Sequence, residues 1–183
     1  MVIGIDLDTK RVTLAWKDGE GWTTKAVVSC DAFGGDDESM DEFMKELGIE
    51  IFNLAVFSSA TAAWIEKPFF GMNPKTHAQL TALYTVVRTV CIRVGIPTHG
   101  VGPSSWQASL LDRVPVTRDA PSIETKRKTT KERSMRYVRI AENHTVANDH
   151  EADAICIAVY GAAKMKELEL EKRAVGGTGR KAR

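Results

Sequence analysis

The sequence predicts an α/β fold in which helices flank a mixed sheet of five strands. Two observations support this prediction. Three short stretches rich in apolar and β-branched residues follow one another within residues 2–30, as in an antiparallel meander. From residue 36 onward, helical and strand-like patterns alternate, which is typical of helices packed on a sheet.

The first half of the chain begins with strands predicted at 2–6, 12–16 and 23–30. A helix follows from about residue 36, because Met40, Phe43, Met44 and Leu47 recur at helical spacing. Over residues 49–57 the pattern fits a helix and a strand equally well, so this boundary stays open.

A short strand at 62–66 and a long helix at 75–94 come next. Pro68 closes the strand, since proline cannot donate to a central ladder. The helix is predicted by an apolar stripe at every third or fourth position, and Gly95 ends it. The stripe comprises Leu80, Leu83, Tyr84, Val87, Val90, Cys91 and Val94.

The rest of the chain is predicted to hold one strand and three helices. The strand lies at 97–101 and a short helix at 103–111. A loop containing Pro115 and Pro121 covers residues 112–125. A basic helix then runs from about 128 to 142, and the last helix from about 148 to 170.

Length and composition indicate one ordinary domain. The chain has 183 residues, of which 43% are hydrophobic, enough for the core of a single compact unit. We expect this domain to span residues 1–172. A basic, glycine-containing tail, 173–183, is expected to be disordered.

Charge is unevenly distributed, although the formal net charge is only +1. Residues 31–50 carry eight acidic side chains against one lysine, and residues 126–139 carry seven basic ones against one glutamate. Such asymmetry suits a protein that meets a polyanion with one face. A solvated helix surface explains a charged run equally well.

Cysteine usage and hydropathy favour a soluble cytoplasmic protein with no membrane partner. Cys30, Cys91 and Cys156 are far apart and form no CxxC pair, which argues against a disulfide framework and a thiolate zinc site. The first residues lack the pattern of a signal peptide, and no apolar run approaches membrane-spanning length.

Two acidic residues end predicted strands. Asp6 follows the apolar run 2–5, and Glu66 follows the similar run 62–65. A charge at such a position is costly unless it is paired or bound to a metal. For Asp6 alone, a turn formed with Asp8 is an equally good interpretation, but the second acid weakens it.

His150 and Asp153 lie three residues apart at the start of the last helix, and therefore on one face. Small residues further along that face would let the helix lie close to the sheet, over Asp6 and Glu66. Oxygen-rich clusters of this kind select Mg²⁺ or Mn²⁺ rather than zinc. Paired ions are the usual catalysts for attack of water on a phosphodiester.

Three neighbours of this pair fit structural roles. Asn148 with Glu151 matches a capping box, and Asp149 complements the helix dipole. None of the three is counted as a ligand. Whether His150 binds the metal or moves protons stays open at this point.

The run Ile3-Gly4-Ile5-Asp6, the strand end Ile65-Glu66 and the helix start at 150–154 together resemble the RuvC-type Holliday junction resolvases. Order and spacing agree over nearly the whole chain. The resemblance implies a ribonuclease H-like fold, and the divergence of this chain from typical members suits a phage-encoded member. It also implies a catalytic site that binds two Mg²⁺ ions, for which Mn²⁺ substitutes, through Asp6, Glu66, His150 and Asp153.

The resemblance further implies an endonuclease that cuts four-way (Holliday) and other branched DNA junctions in recombination or repair. It implies a homodimer, for which the apolar stripe of the 75–94 helix is the candidate contact, although an internal role fits the stripe equally well. Leu7-Asp8 stands where the family usually has Pro-Gly, and residues 112–125 form a longer loop. These departures leave the preferred DNA open.

Aromatic and basic residues complete the predicted DNA surface. Phe69 resembles the aromatic that follows the glutamate in the family, and is expected to stack on an unstacked base. Phe70 is expected in the core, as are Trp16, Trp64 and Trp106. The cations expected to follow phosphates are Lys75, Lys126, Arg127, Lys128, Lys131 and Arg133.

Three other classes of protein share features with this sequence. The sugar-kinase and chaperone ATPase superfamily also opens with a Gly-x-Asp strand, but it needs duplicated domains and a phosphate-binding glycine loop, and this chain has neither. A catalytically silent binder of branched DNA and a ribonuclease H-like nuclease with another substrate, such as RNA·DNA hybrids, remain alternatives.

Overall fold

The structure, a computed structural model, describes residues 1–19, 21–28, 37–69, 73–112 and 123–177. Predictions for Cys30, Phe70 and residues 178–183 lie outside the described residues, as do the side chains of residues 123–129. The described elements, in chain order, are β1 (Val2–Asp8), β2 (Arg11–Asp18), β3 (Gly21–Val28), α1 (Asp37–Phe57), β4 (Ala62–Glu66), α2 (Pro74–Arg93), β5 (Thr98–Val101), α3 (Pro103–Leu111), α4 (Ile123–Ala141) and α5 (Asp149–Gly177).

The five strands form one mixed sheet in the order β3-β2-β1-β4-β5. The first three strands are the predicted antiparallel meander. β4 and β5 then add to the other side of β1 as parallel strands. The predicted mixed sheet flanked by helices is confirmed, and β1 lies at its centre.

Helices cover both faces of the sheet. α1 and α2 pack on one face, where Ile3 and Ile5 of β1 join Leu47 of α1 and Leu83 of α2 in one buried cluster. α3, α4 and α5 cover the other face, in a second cluster that includes Trp106. Because side chains alternate along a strand, the residues of β1 that face α5 are the even-numbered ones.

Glycine at position 4 allows α5 to cross directly over β1. A Cβ at Gly4 would lie 2.0 Å from the backbone oxygen of Ala154 and 2.4 Å from the backbone nitrogen of Ala158, so any larger residue would push α5 away. This close approach is the one predicted from the small residues of the last helix. It brings the first turn of α5 over the end of β1.

The apolar stripe of α2 is internal. Leu80, Leu83, Val87 and Cys91 are all buried against the sheet, while Tyr84 and Val94 pack partly buried against the same cluster. Of the two roles left open for this stripe, the buried residues have the internal one. The sheet already covers this face of the helix.

The structure decides one helix boundary that the sequence left open and moves two others. α1 continues unbroken through residues 49–57, because Leu47, Ile51 and Leu54 keep burying one face. α4 begins at Ile123, inside the predicted loop, and α5 continues past Leu170 to Gly177, into the predicted tail. Both extensions are rich in charged residues, so no apolar period marks where these helices begin or end.

The remaining sequence expectations concern cysteines, tryptophans and membranes. Cys91 and Cys156 are buried and free. Trp64 and Trp106 are buried, and Trp16 packs partly buried against the core. Within the described parts of the chain, none of the helices is long and apolar enough to cross a membrane.

Candidate active site

The ends of β1 and β4 place two carboxylates next to each other. The strands are parallel with Ile5 beside Ile65, so Asp6 and Glu66 are the next residues along neighbouring strands. Side-chain alternation turns both towards α5. Asp6 is 5% exposed, which makes it a buried acid at the centre of the sheet.

The first turn of α5 brings two further side chains to these carboxylates. The imidazole of His150 donates from Nδ1 to Oδ2 of Asp6 at 2.8 Å. One turn further along, the Asp153 carboxyl group is buried, and its Oδ1 has no hydrogen-bond partner among the described residues. The four predicted ligands thus come from three elements, β1, β4 and α5, to one place.

The crowding of acids shifts their protonation. Burial and the charges of Asp6 and Asp153 raise the pKa of Glu66 to about 8, although a hydrogen bond from Trp106 opposes the shift. Burial and the charge of Asp6 raise the pKa of Asp153 to about 7. The bond to Asp6 raises the pKa of His150. The site therefore favours bound protons, or another source of positive charge, over ionised carboxylates.

The residues fit a hard divalent cation by the chemistry of their donors. Three carboxylates and one imidazole, with an unpartnered oxygen on Asp153, suit Mg²⁺ or Mn²⁺. Within the described residues, no three acidic, histidine or cysteine side chains are already arranged around one ion position. The bond between His150 and Asp6 instead engages two of the donor atoms.

Comparison with solved structures identifies the fold. RuvC of Thermus thermophilus in complex with a Holliday junction substrate matches with a TM-score of 0.64 and 18% sequence identity, over 90% of this chain and 95% of that chain. The chain has the RuvC fold. A second structure of Thermus thermophilus RuvC matches with a TM-score of 0.61 and 17% identity, over 90% of this chain and 96% of the other.

This match confirms the predicted ribonuclease H-like fold and, at the level of fold, the resemblance drawn from the motifs. A yeast mitochondrial Holliday junction resolvase matches more distantly, with a TM-score of 0.45 and 14% identity over 86% of this chain and 75% of that one. Neither a protein-family model nor a curated protein sequence matches the chain.

Sequence patterns did not place Trp106 at the site. Trp106 of α3 donates from its indole Nε1 to Oε1 of Glu66 at 2.8 Å. It was assigned to the core, and its side chain is indeed fully buried. Nothing in its spacing indicates the contact, because the two residues are 40 positions apart and meet only once the RuvC fold has formed.

A second contact fixes the edge of the site. Lys131 of α4 forms an ion pair with Asp149, the first residue of α5. This bond raises the pKa of Lys131. For Asp149, burial acts to raise the pKa, but Lys131 and the neighbouring His150 outweigh it, so the pKa is lowered. Asp149 thus acts in a salt bridge to α4 as well as at the helix N-terminus.

The predicted aromatic lies beside the carboxylates. Phe69 is 60% exposed. With Leu7, Glu66 and Pro103 it lines a small cavity of about 120 Å³. An exposed ring next to a partly buried acid is compatible with stacking on a base, the role expected from the sequence.

The predicted cations have different surroundings. Lys75 is exposed at the start of α2. Arg133, in contrast, donates to the backbone oxygen of Leu111 and lies near Asp112, so its guanidinium ties α4 to α3. Lys131 is held by its ion pair, and the side chains of Lys126, Arg127 and Lys128 lie outside the described residues.

Two further arginines of α4 were counted in the basic run but not chosen as DNA contacts. Arg136 and Arg139 line a cavity of about 410 Å³ together with His144, Glu132 and the segment before α5. Both arginines are exposed, and neither pairs with a carboxylate in the described part of the chain. They are exposed cations on the helix that borders the site.

Proposed function

We propose that this protein is a metal-dependent endonuclease that cuts four-way and other branched DNA junctions in recombination or repair. One observation carries the proposal. Asp6, Glu66, His150 and Asp153 converge on the end of β1 in a chain that has the RuvC fold. The dispersed cysteines favour a cytoplasmic setting.

The proposed ligands are Asp6, Glu66, His150 and Asp153, around two Mg²⁺ or Mn²⁺ ions. Bound ions of this kind activate water and stabilise the leaving oxygen of a phosphodiester. Asp6 occupies the central position, because its charge acts on both other carboxyl groups and it accepts from His150. Ionised carboxylates at this place need a compensating cation.

His150 is the residue with two available roles. Its Nδ1 lies 2.8 Å from Oδ2 of Asp6. An ionised carboxylate only accepts hydrogen bonds, so Nδ1 is the donor, and Nε2 is the ring nitrogen that Asp6 does not engage. The ring can therefore accept or release a proton at Nε2 while Asp6 stabilises its charged form. As a metal ligand, it would contribute an imidazole nitrogen that suits Mn²⁺ better than Mg²⁺.

DNA is proposed to approach over Phe69 and the outer face of α4. A base displaced from its stack beside the scissile phosphate would rest on the exposed ring of Phe69. Lys75, Lys131 and the basic start of α4 would follow the phosphates. Arg136 and Arg139 extend this positive surface, and we add them to the predicted contacts, whereas Arg133 is engaged inside the protein.

The active species is proposed to be a homodimer. Resolving a two-fold symmetric junction requires two matched cuts, and a C₂ dimer supplies two identical sites. With the α2 stripe buried, the candidate contact is the outer face of α1. Ile49, Phe52 and Val56 are each about half exposed there, at i, i+3 and i+7 spacing along one helix face.

The test is incubation of the purified protein with a labelled four-way junction, a linear duplex and an RNA·DNA hybrid, in Mg²⁺ or Mn²⁺. We expect paired, symmetric nicks in the junction and little cutting of the duplex. Preferential cutting of the hybrid would favour a nuclease with another substrate. Junction binding without any cutting would favour a catalytically silent binder of branched DNA.

A further inference from the structure

We infer that Trp106 is a positioning residue whose indole N–H holds the Glu66 carboxylate in the orientation needed for metal binding. The inference rests on the proposed function, because it assigns Glu66 to the metal site. It gives this tryptophan a task beyond filling space in the core.

The local fold explains why Trp106 reaches the site. Glu66 ends β4 and lies beside Val101, the last residue of the neighbouring parallel strand β5. Pro103 starts α3 almost immediately after β5. One turn of helix from there returns the Trp106 side chain towards the end of β4, where Nε1 lies 2.8 Å from Oε1 of Glu66.

The hydrogen bond engages one oxygen of the Glu66 carboxyl group, Oε1. The indole does not bind Oε2, and Asp6 acts on the same carboxyl group. The indole is a neutral donor with a single hydrogen. It can fix the carboxylate without competing with a cation for the negative charge, as a lysine or arginine would.

Burial makes this bond more than a packing contact. Trp106 is fully buried and Glu66 is partly buried, and a carboxylate oxygen in such surroundings is costly without a donor. Partners that orient a metal ligand in this way commonly change metal affinity by about 10- to 100-fold when they are removed.

The chain contains a matched control. Trp22 donates from its indole Nε1 to Oε2 of Glu142 at 3.0 Å. This is the same kind of bond, but Glu142 lies next to Lys17 and outside the proposed metal site. Replacing either tryptophan with phenylalanine removes one indole donor and keeps an aromatic ring.

The experiment compares Trp106→Phe and Trp22→Phe with the parent chain. Mn²⁺ binding is measured without DNA by electron paramagnetic resonance, and junction affinity without divalent metal by electrophoretic mobility shift. We expect Trp106→Phe to weaken Mn²⁺ binding about tenfold. Its affinity for the junction should equal that of the parent chain within measurement error. Trp22→Phe should change neither.

A spectroscopic readout covers the case in which Trp106→Phe folds poorly. In the ¹H–¹⁵N spectrum of the parent chain, the Trp106 indole resonance should shift when Mg²⁺ is added, and the Trp22 resonance should stay in place. Selective ¹⁵N labelling with single Trp→Phe variants assigns both resonances, and Trp106→Tyr provides a second variant for the Trp106 assignment. The parent chain itself is the protein tested.

The outcomes separate this inference from the proposed function. Two results would overturn the inference alone. One is an unchanged Mn²⁺ affinity in Trp106→Phe, and the other is a Trp106 resonance that does not shift with Mg²⁺ in a chain that cuts junctions. Metal binding with the expected Trp106 response but no cutting of branched DNA would overturn the proposed function alone. A parent chain that binds no divalent metal would overturn both.

Discussion

A single hydrogen bond joins His150 at the start of α5 to Asp6 in the central strand, with 2.8 Å between Nδ1 and Oδ2. The two residues are 144 positions apart. Because α5 lies directly against Gly4, the first turn of the helix is held over the end of β1. This relationship brings the two predicted ligands of α5 to the carboxylates that end β1 and β4.

Asp6→Asn or Asp153→Asn should each reduce junction cutting by on the order of 1,000-fold. Each variant lacks one carboxylate of the proposed metal site, and the bound metal ions supply the catalysis. Junction binding should survive, since the basic surface provides the affinity. Cleavage assays and mobility shifts on one labelled junction measure both quantities. Normal turnover by either variant would show that the site has been misassigned.

His150→Asp should retain activity and reduce the preference for Mn²⁺ over Mg²⁺, because an imidazole suits Mn²⁺ better than Mg²⁺ and a carboxylate suits both. The ratio of cutting rates in the two metals is the measurement. His150→Ala serves as the control for loss of any ligand. An inactive His150→Asp variant that still binds metal would instead point to proton transfer by His150.

Phe69→Ala should slow cutting more than it weakens junction binding, if the ring holds the displaced base of the reacting strand. One base stack is worth about 1 to 3 kcal/mol, which corresponds to a rate loss of roughly 5- to 150-fold. Phe57→Ala is the matched control, since Phe57 is 78% exposed at the end of α1. Equal small losses in rate and binding would leave Phe69 without a special role.

The metal-free protein should lose stability as pH rises from about 4 to about 8. Over this range folded Glu66 and Asp153, with pKa values of about 8 and about 7, hold protons that the unfolded chain releases. The raised pKa of His150 acts in the same direction, because its contribution is complete below its unfolded pKa and is lost as pH passes through the folded one. Stability therefore falls with increasing pH.

Urea unfolding in EDTA at several pH values measures this dependence. Glu66→Gln should flatten the slope, since it removes one of the two carboxyl groups with raised pKa values. Adding Mg²⁺ should restore most stability at high pH, where the carboxylates are ionised and bind best. A metal-free protein that becomes more stable between pH 5 and pH 8 would contradict this account of the site.

Phe52→Glu should convert the proposed dimer to monomer, because it places a charge in the apolar face of α1. Light scattering gives the mass, and mapping nicks on both labelled strands tests for symmetric cuts. Leu170→Glu on α5 is the control, since Leu170 is 64% exposed but lies away from α1. A parent chain that is strictly monomeric at all working concentrations, and nicks only one strand, would reject the dimer.

The sequence by itself determined the elements and the four candidate ligands. The apolar strands that end in Asp6 and Glu66, and the spacing of His150 and Asp153, are local patterns that alternation and helical periodicity make readable. Buried strands tolerate an acid only where something compensates its charge. An acid that ends an apolar strand can therefore be recognised from the sequence alone.

Only the tertiary structure decided which surfaces meet. An apolar helix face shows that something covers it but not what does, so the α2 stripe could be an internal surface or a contact between subunits until the sheet was seen to cover it. The bond from Trp106 to Glu66 and the engagement of Arg133 with Leu111 likewise join residues far apart in the chain. Their partners are set by how the helices pack on the sheet, which local periodicity does not encode.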